Sequence, residues 1–267
     1  MSLQPADPWA LLRTVTRARI GLPRTGDALS TAAVLELAGD HALARDAVHD
    51  LLVSATLRDD LVGHPVVEVC SAAPDRATYL QRPDLGRRLA PASRDLLLPG
   101  PYDVVFVLAD GLSARAVHAH GVATLRATLG HLVGWSVGPV VVATQARVAL
   151  GDEVGELLAA RCVVVLIGER PGLSAPDSLG AYLTWGPRPG RRDSERNCLS
   201  NIRPPQGQAV EGAAQTLALL LGEARRRELS GVALKDDFGQ LDASGSEGGS
   251  VVDTQDGATR RSSVARP

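Results

Sequence analysis

Apolar positions along the chain follow two rhythms, and the change between them falls near residue 100. In the first part they recur at helical spacing. Leu11, Leu12, Val15 and Ile20 predict a helix over residues 8–20, with Pro8 near its first turn. Ser30 reads as the N-cap of a second helix from Thr31 to Leu52, whose stripe is Leu35, Leu37, Ala38, Leu43, Ala47, Val48 and Leu51. A short strand is expected at Val66–Cys70 and a helical turn at Ala77–Leu80, after Asp75. From about Asp103 the order becomes strand, loop, helix, repeated. Val104–Leu108, Pro139–Ala143 and Cys162–Ile167 read as strands, with Ala181–Trp185 a fourth. Helices are predicted from Ala114 to Leu132, Gly151 to Ala160 and Ala209 to Arg227.

Val163–Ile167 is apolar at every position, so both of its faces must be covered, as in the middle of a mostly parallel sheet. Alternating strands and helices imply a doubly wound α/β architecture. The expected organisation is a mainly helical region over 1–95, an α/β domain over 96–235 and a disordered tail over 236–267. The 32 residues of that tail include fifteen Asp, Gly or Ser and almost no apolar run, too little to offset the entropy of ordering.

Composition narrows the function classes. The chain is 45% hydrophobic and carries a net charge of -2, so no overall field draws it to nucleic acid or to an anionic membrane. With 3% aromatics it has few rings for base stacking. Of 28 basic residues only Lys235 is a lysine, an even spread of arginine that reads as compositional drift. Cys70, Cys162 and Cys198 are too scattered for a zinc site or a disulfide framework and predict reduced thiols in the cytoplasm. The N-terminus has no apolar leader segment, and no stretch is long enough to span a membrane.

Three strand ends deliver unusual loops: Asp110-Gly111-Leu112-Ser113, Arg147-Val148, and Gly168-Glu169-Arg170-Pro171-Gly172. If their strands are parallel, all three loops share the carboxyl edge and can form one crevice. Two of them also have a plain reading, as turn and helix-cap residues for Asp110 and Ser113 and as a surface turn with an ion pair for Glu169 and Arg170. Residues 81–89 crowd Arg82, Arg87 and Arg88 around Asp84, which suits an anion or partner site as well as a solvated loop. Ser194–Pro204 shows no period and reads as an ordered loop offering donors and acceptors. Cys198 within it is a candidate nucleophile or an inert thiol, with no histidine nearby in sequence. His41 and His49 share a helix face but lack a third ligand. GxGxxG, the P-loop lysine, GxSxG and HExxH are all missing, which removes the common dinucleotide, kinase, hydrolase and zincin signatures.

Five segments in order resemble the small (light) subunit of ethanolamine ammonia-lyase. They are residues 82–89, residues 110–113, residues 151–156, Gly168-Glu169-Arg170-Pro171-Gly172-Leu173 and Arg196-Asn197-Cys198-Leu199-Ser200-Asn201-Ile202, the last two being the most specific. The likeness runs from about Thr14 to Leu234. It implies a Rossmann-like domain that holds adenosylcobalamin against a large TIM-barrel subunit, in a complex that splits ethanolamine into acetaldehyde and ammonia by radical chemistry. The positions matching the family's cobalamin contacts are Val148, Glu169 and Cys198; no catalytic residue and no metal ligand is expected from this chain. One departure is Ala146, where family members have a glycine before the Arg-Val pair.

Enzymes that give cobalamin a histidine axial ligand resemble one another in a DxHxxG motif. His118 and Gly121 have that spacing, but Ala116 stands where the Asp belongs, so the cofactor is expected to keep its own dimethylbenzimidazole. The expected location is the cytoplasm, free or inside a bacterial microcompartment. Two other readings stand beside this one: a noncatalytic assembly or adaptor subunit that has lost the cofactor, and a stand-alone hydrolase using Ser113 or Cys198.

Overall fold

A computed structural model describes residues 7–16 and 18–234. The tail expected to be disordered lies outside the described residues. Short N-terminal elements come first: helix α1 (Ala10–Val15), a two-residue hairpin of β1 (Arg24–Thr25) and β2 (Ala28–Leu29), α2 (Thr31–His49) and α3 (Ser54–Asp60). Then follow β3 (Val66–Cys70), α4 (Arg76–Gln81), α5 (Pro91–Arg94), β4 (Val104–Ala109), α6 (Ala114–Ala116), α7 (Val122–His131), β5 (Val140–Thr144), α8 (Leu150–Leu157), β6 (Cys162–Gly168), β7 (Leu179–Trp185), β8 (Arg196–Ile202) and α9 (Val210–Arg227).

The main sheet has six strands in the order β3-β5-β4-β6-β7-β8. β3, β5, β4 and β6 are parallel, and β7 and β8 return antiparallel. The expected α/β architecture with a mostly parallel sheet is therefore present, with an antiparallel edge added. All six residues of β4 and all seven of β6 are buried, as apolar runs in a sheet covered on both faces must be. One face carries α8: Leu150, Val154 and Leu158 pack with Val105, Val107, Val163 and Val165. β4 leads through α6 and α7 to β5 on one side of it, whereas β5 leads through α8 to β6 on the other. The connections thus diverge at the β4–β5 boundary, the place where doubly wound sheets open a crevice.

Several local expectations are corrected. The first helix stops at Val15, because Thr16 is extended and Arg13 turns back to the carbonyls of Ile20 and Gly21. The second has its Ser30 cap, with Oγ accepting from the Ala33 amide, but Asp50 is already extended and ends it at His49. Its apolar stripe is largely exposed, only Ala47 being buried. The helix expected over 114–132 runs from Ala114 to His131 but contains a π-helical turn at Val117–Gly121. α3 and α5 were not expected.

The largest correction is β8, which occupies the segment read as an aperiodic loop. Its buried residues are Arg196, Leu199 and Ile202, three apart instead of two. Leu199 faces Ala181 and Ile202 faces Leu179, so a bulge at Ser200–Asn201 consumes the extra residue, with Asn201 at φ 60. The bulge shifts the period, and the charged Arg196 at an inward position hides what remains. Among the described residues no helix is long and apolar enough to cross a membrane.

Candidate functional site

Parallel β4, β5 and β6 deliver all three expected loops to one edge, where they surround a crevice in two halves. The first, about 430 Å³, is lined by Gly111 and Leu112 after β4, Arg147 and Val148 after β5, and Gly168, Glu169 and Arg170 after β6, with Tyr79, Ile167 and Tyr182. The second, about 310 Å³, includes Pro83, Arg87, Arg191, Arg196 and Cys198. Arg147, Val148 and Tyr182 line both halves. Val148 thus stands on the wall common to both, with Glu169 in one half and Cys198 in the other.

Asp110 is the bracket that sets this geometry. It is 3% exposed, and its carboxylate accepts from the amides of Gln145 (2.8 Å) and Ala146 (3.0 Å), joining the end of β4 to the end of β5. Arg76 pairs with it at 3.3 Å. Burial pushes its carboxyl above the usual range, against the pull of the two amides and Arg76. Ser113 caps α6 and donates to the Pro176 carbonyl, so both residues have the structural role. Ala146 is fully buried, its carbonyl accepts from the Tyr79 hydroxyl at 2.9 Å, and the left-handed residue of the loop is Gln145 at φ 56. The loop therefore asks for no glycine conformation at Ala146.

Glu169 continues from β6 and clamps the bulge of β8. Its carboxylate accepts from the hydroxyls of Ser178 and Ser200, each at 2.5 Å, and from the Asn201 amide at 3.1 Å. The amide would otherwise be orphaned by the bulge. Arg170 beside it makes no ion pair with Glu169, so the expected plain reading of the turn is replaced by a clamp. A carboxylate has about four lone-pair sites, so one acceptor position remains, on a residue that lines the first half of the crevice.

Cys198 is exposed on β8 and hydrogen-bonds Tyr182 across the strand pair. Burial around the sulfur raises its thiol above the ordinary value, the Tyr182 hydrogen bond opposes this and the Glu169 charge adds to it. Burial likewise raises the Tyr182 phenol. Both stay protonated at neutral pH, and neither half of the crevice is lined by a histidine. The arrangement offers packing and hydrogen bonds, with no nucleophile–base pair. His118 lies in the π-helical turn and accepts from the Val53 amide.

The other motif segments brace these walls. Residues 151–156 place Gly151 and Gly155 so close to the sheet and to Pro187 that an added Cβ would sit 2.3 Å from Val165 and 2.4 Å from Pro187. Asp152 takes a bidentate pair from Arg196 (2.5 and 2.7 Å), both side chains being almost fully buried. Glu153 accepts from the Leu89 amide at 2.8 Å and pairs with Arg94. Asn197 holds the carbonyls of Gly231 and Leu234. The wall residues Tyr79 and Tyr182 were missed by the sequence reading; in a chain with three tyrosines, their rarity beside strand ends was the available signal.

Known proteins match this chain over the same residues. The family model of the ethanolamine ammonia-lyase light chain (EutC) matches residues 6–235. Similar curated proteins, each named ethanolamine ammonia-lyase small subunit, include those of three species. The one from Rhodopseudomonas palustris is 55% identical over 233 residues, covering 85% of this chain and 89% of its own. That from Xanthomonas campestris is 53% identical over 243 residues (87% and 89%), and that from Azotobacter vinelandii 50% over 258 (92% and 95%).

Proposed function

The chain belongs to the ethanolamine ammonia-lyase light-chain family, and from that premise we propose that its crevice holds adenosylcobalamin against a large catalytic subunit. The complex so formed converts ethanolamine to acetaldehyde and ammonia by radical chemistry. The observation that carries this reading is the placing of Val148, Glu169 and Cys198 around one crevice at the β4–β5 boundary.

The donor set suits a corrin. Its rim carries amides, for which Glu169 keeps an acceptor position and Tyr182 a hydroxyl. Its apolar edges suit Leu112, Val148 and Ile167. A crevice lined without histidine suits a cofactor that keeps its own lower base. When bound, the cofactor supplies the radical from its cobalt–carbon bond. This chain's residues position it: Val148 packs, Glu169 and Tyr182 orient, and the Asp110 bracket keeps their loops in register. The names light chain and small subunit imply a large partner, and the substrate site is assigned to that partner. The complex is placed in the cytoplasm, free or within a microcompartment.

Mixing the full chain with a family large subunit and adenosylcobalamin, then measuring acetaldehyde, tests the proposal. Turnover requiring both chains is expected. A stable complex that neither binds cobalamin nor turns over would make the chain an adaptor, and turnover by this chain alone would make it an enzyme in its own right.

A further inference from the structure

Two of the four arginines lining the second half of the crevice have an acidic partner. Arg191 pairs with Glu195 and Arg196 with Asp152. Arg87 and Arg147 do not: among the described residues neither has a carboxylate partner. Arg147 is nevertheless held firmly. Its guanidinium lies 4.4 Å from the centre of the Tyr79 ring, whose other contact is Arg76 at 4.9 Å. Its amide donates to the Gly86 carbonyl at 2.8 Å. A Cβ on Gly86 would come within 2.7 Å of the Tyr79 ring and 3.0 Å of Arg147, so the stack requires glycine there. Arg76 is neutralised by Asp110. Arg147, on the same ring, is not, and its Nε is buried with no hydrogen-bond partner.

A pre-oriented, half-desolvated guanidinium with unused donors, beside a second free arginine, has the chemistry of a phosphate site. Fixing its plane on an aromatic ring lowers the entropy lost when an anion is bound. We propose that Arg147, assisted by Arg87, binds a phosphodiester anion at the joint between the two halves of the crevice. This rests on the proposed cobalamin reading, in which the anion is the phosphodiester of the cofactor's nucleotide loop; free phosphate is the other source of the same chemistry.

The test compares cobalamin with cobinamide, which has the corrin but lacks the phosphodiester and base. Both are titrated by visible absorbance into the complex of the full chain with the large subunit. Arg147→Met keeps the packing on Tyr79 and removes the charge. It is expected to weaken cobalamin about tenfold to hundredfold, the range of a charged hydrogen bond, while cobinamide binding is unchanged. Arg147→Lys should recover part of the loss. In the wild type, inorganic phosphate should compete with cobalamin and leave cobinamide unaffected, a measurement that needs no variant. Equal loss for both ligands, or loss for neither, overturns the assignment. If the wild-type complex binds neither corrinoid, the cofactor reading fails. Calorimetric titration of the full chain with inorganic phosphate then decides the site: binding that Arg147→Met abolishes retains it for free phosphate, and its absence overturns it.

Discussion

Removing the Asp152 carboxylate should loosen the wall that carries Cys198. Arg196 and Asp152 are 3% and 1% exposed as side chains, and they join β8 to α8 through bonds of 2.5 and 2.7 Å. Arg196 also donates to Thr184 Oγ1 at 2.9 Å and the Arg191 carbonyl at 3.0 Å. In Asp152→Asn those neutral acceptors remain, but the buried cation has lost its bidentate counter-charge and keeps only the fully solvated Asp193 at 3.7 Å. Such a break typically costs about 3–5 kcal/mol. At roughly 2 °C per kcal/mol for a chain of this size, Tm should fall by about 6–10 °C. Replacing both partners by apolar residues, Asp152→Leu with Arg196→Met, should recover most of that loss, because two desolvated charges disappear together. Differential scanning calorimetry of the wild type, both single variants and the double measures this, and hydrogen exchange over residues 196–202 should rise only in the singles. A single-variant loss below about 1 kcal/mol, the value of an exposed pair, would refute the reasoning. So would a double variant that loses the sum of the singles.

Three further outcomes are expected. Glu169→Ala strips three acceptor bonds from the β8 bulge, so it should lower stability by about 1–3 kcal/mol in urea melts and weaken adenosylcobalamin binding by the assembled enzyme, while gel filtration still shows the two-subunit complex. Gly155→Ala drives a Cβ to 2.4 Å from Pro187 Cγ and 2.8 Å from its Cβ; overpacking of about 1–3 kcal/mol should appear as a lower Tm. At Asp177, burial alone would raise the carboxyl, but the hydrogen bond and charge of Arg203 outweigh it and hold the group below its ordinary 3.8. The native state therefore binds this proton less readily than the unfolded chain. The group stabilises the protein above the ordinary value and loses that contribution as pH falls through the lowered one. The pair is partly exposed, so it is worth at most about 1 kcal/mol, and Asp177→Asn should flatten the acid limb of the stability profile by no more than that.

The buried strands were legible because a parallel sheet covered on both faces demands apolar residues at every position, as in Val163–Ile167. Strand direction then brought the three loops to one edge, so the gathering of Val148 and Glu169 followed from topology. Cys198 reached the same crevice by a route that periodicity could not show. Its strand carries a bulge, and the residue that stabilises the bulge, Glu169, lies 32 positions before Asn201 in the chain. The same distance hid Glu169's bonds to Ser200 and Asn201 and left its role as a clamp invisible. Asp110 and Ser113 carried two readings until the Gln145 and Ala146 amides were seen on the Asp110 carboxylate and the Pro176 carbonyl on the Ser113 hydroxyl. The π-helical turn at Val117–Gly121 leaves no mark in hydrophobic spacing. The exposed stripes of α1 and α2 show the reverse limit, since apolar spacing predicts a helix but says nothing of what covers it.

The account stands most directly on whether Val148, the side chain on the wall common to both halves of the crevice, touches the cofactor. Equilibrium titration of adenosylcobalamin into the complex with the large subunit, wild type against Val148→Trp, measures this with the folded state and assembly checked by circular dichroism and gel filtration. The account predicts an intact complex whose affinity falls by at least tenfold because the indole fills the crevice. An intact complex that binds adenosylcobalamin as tightly as the wild type would contradict it.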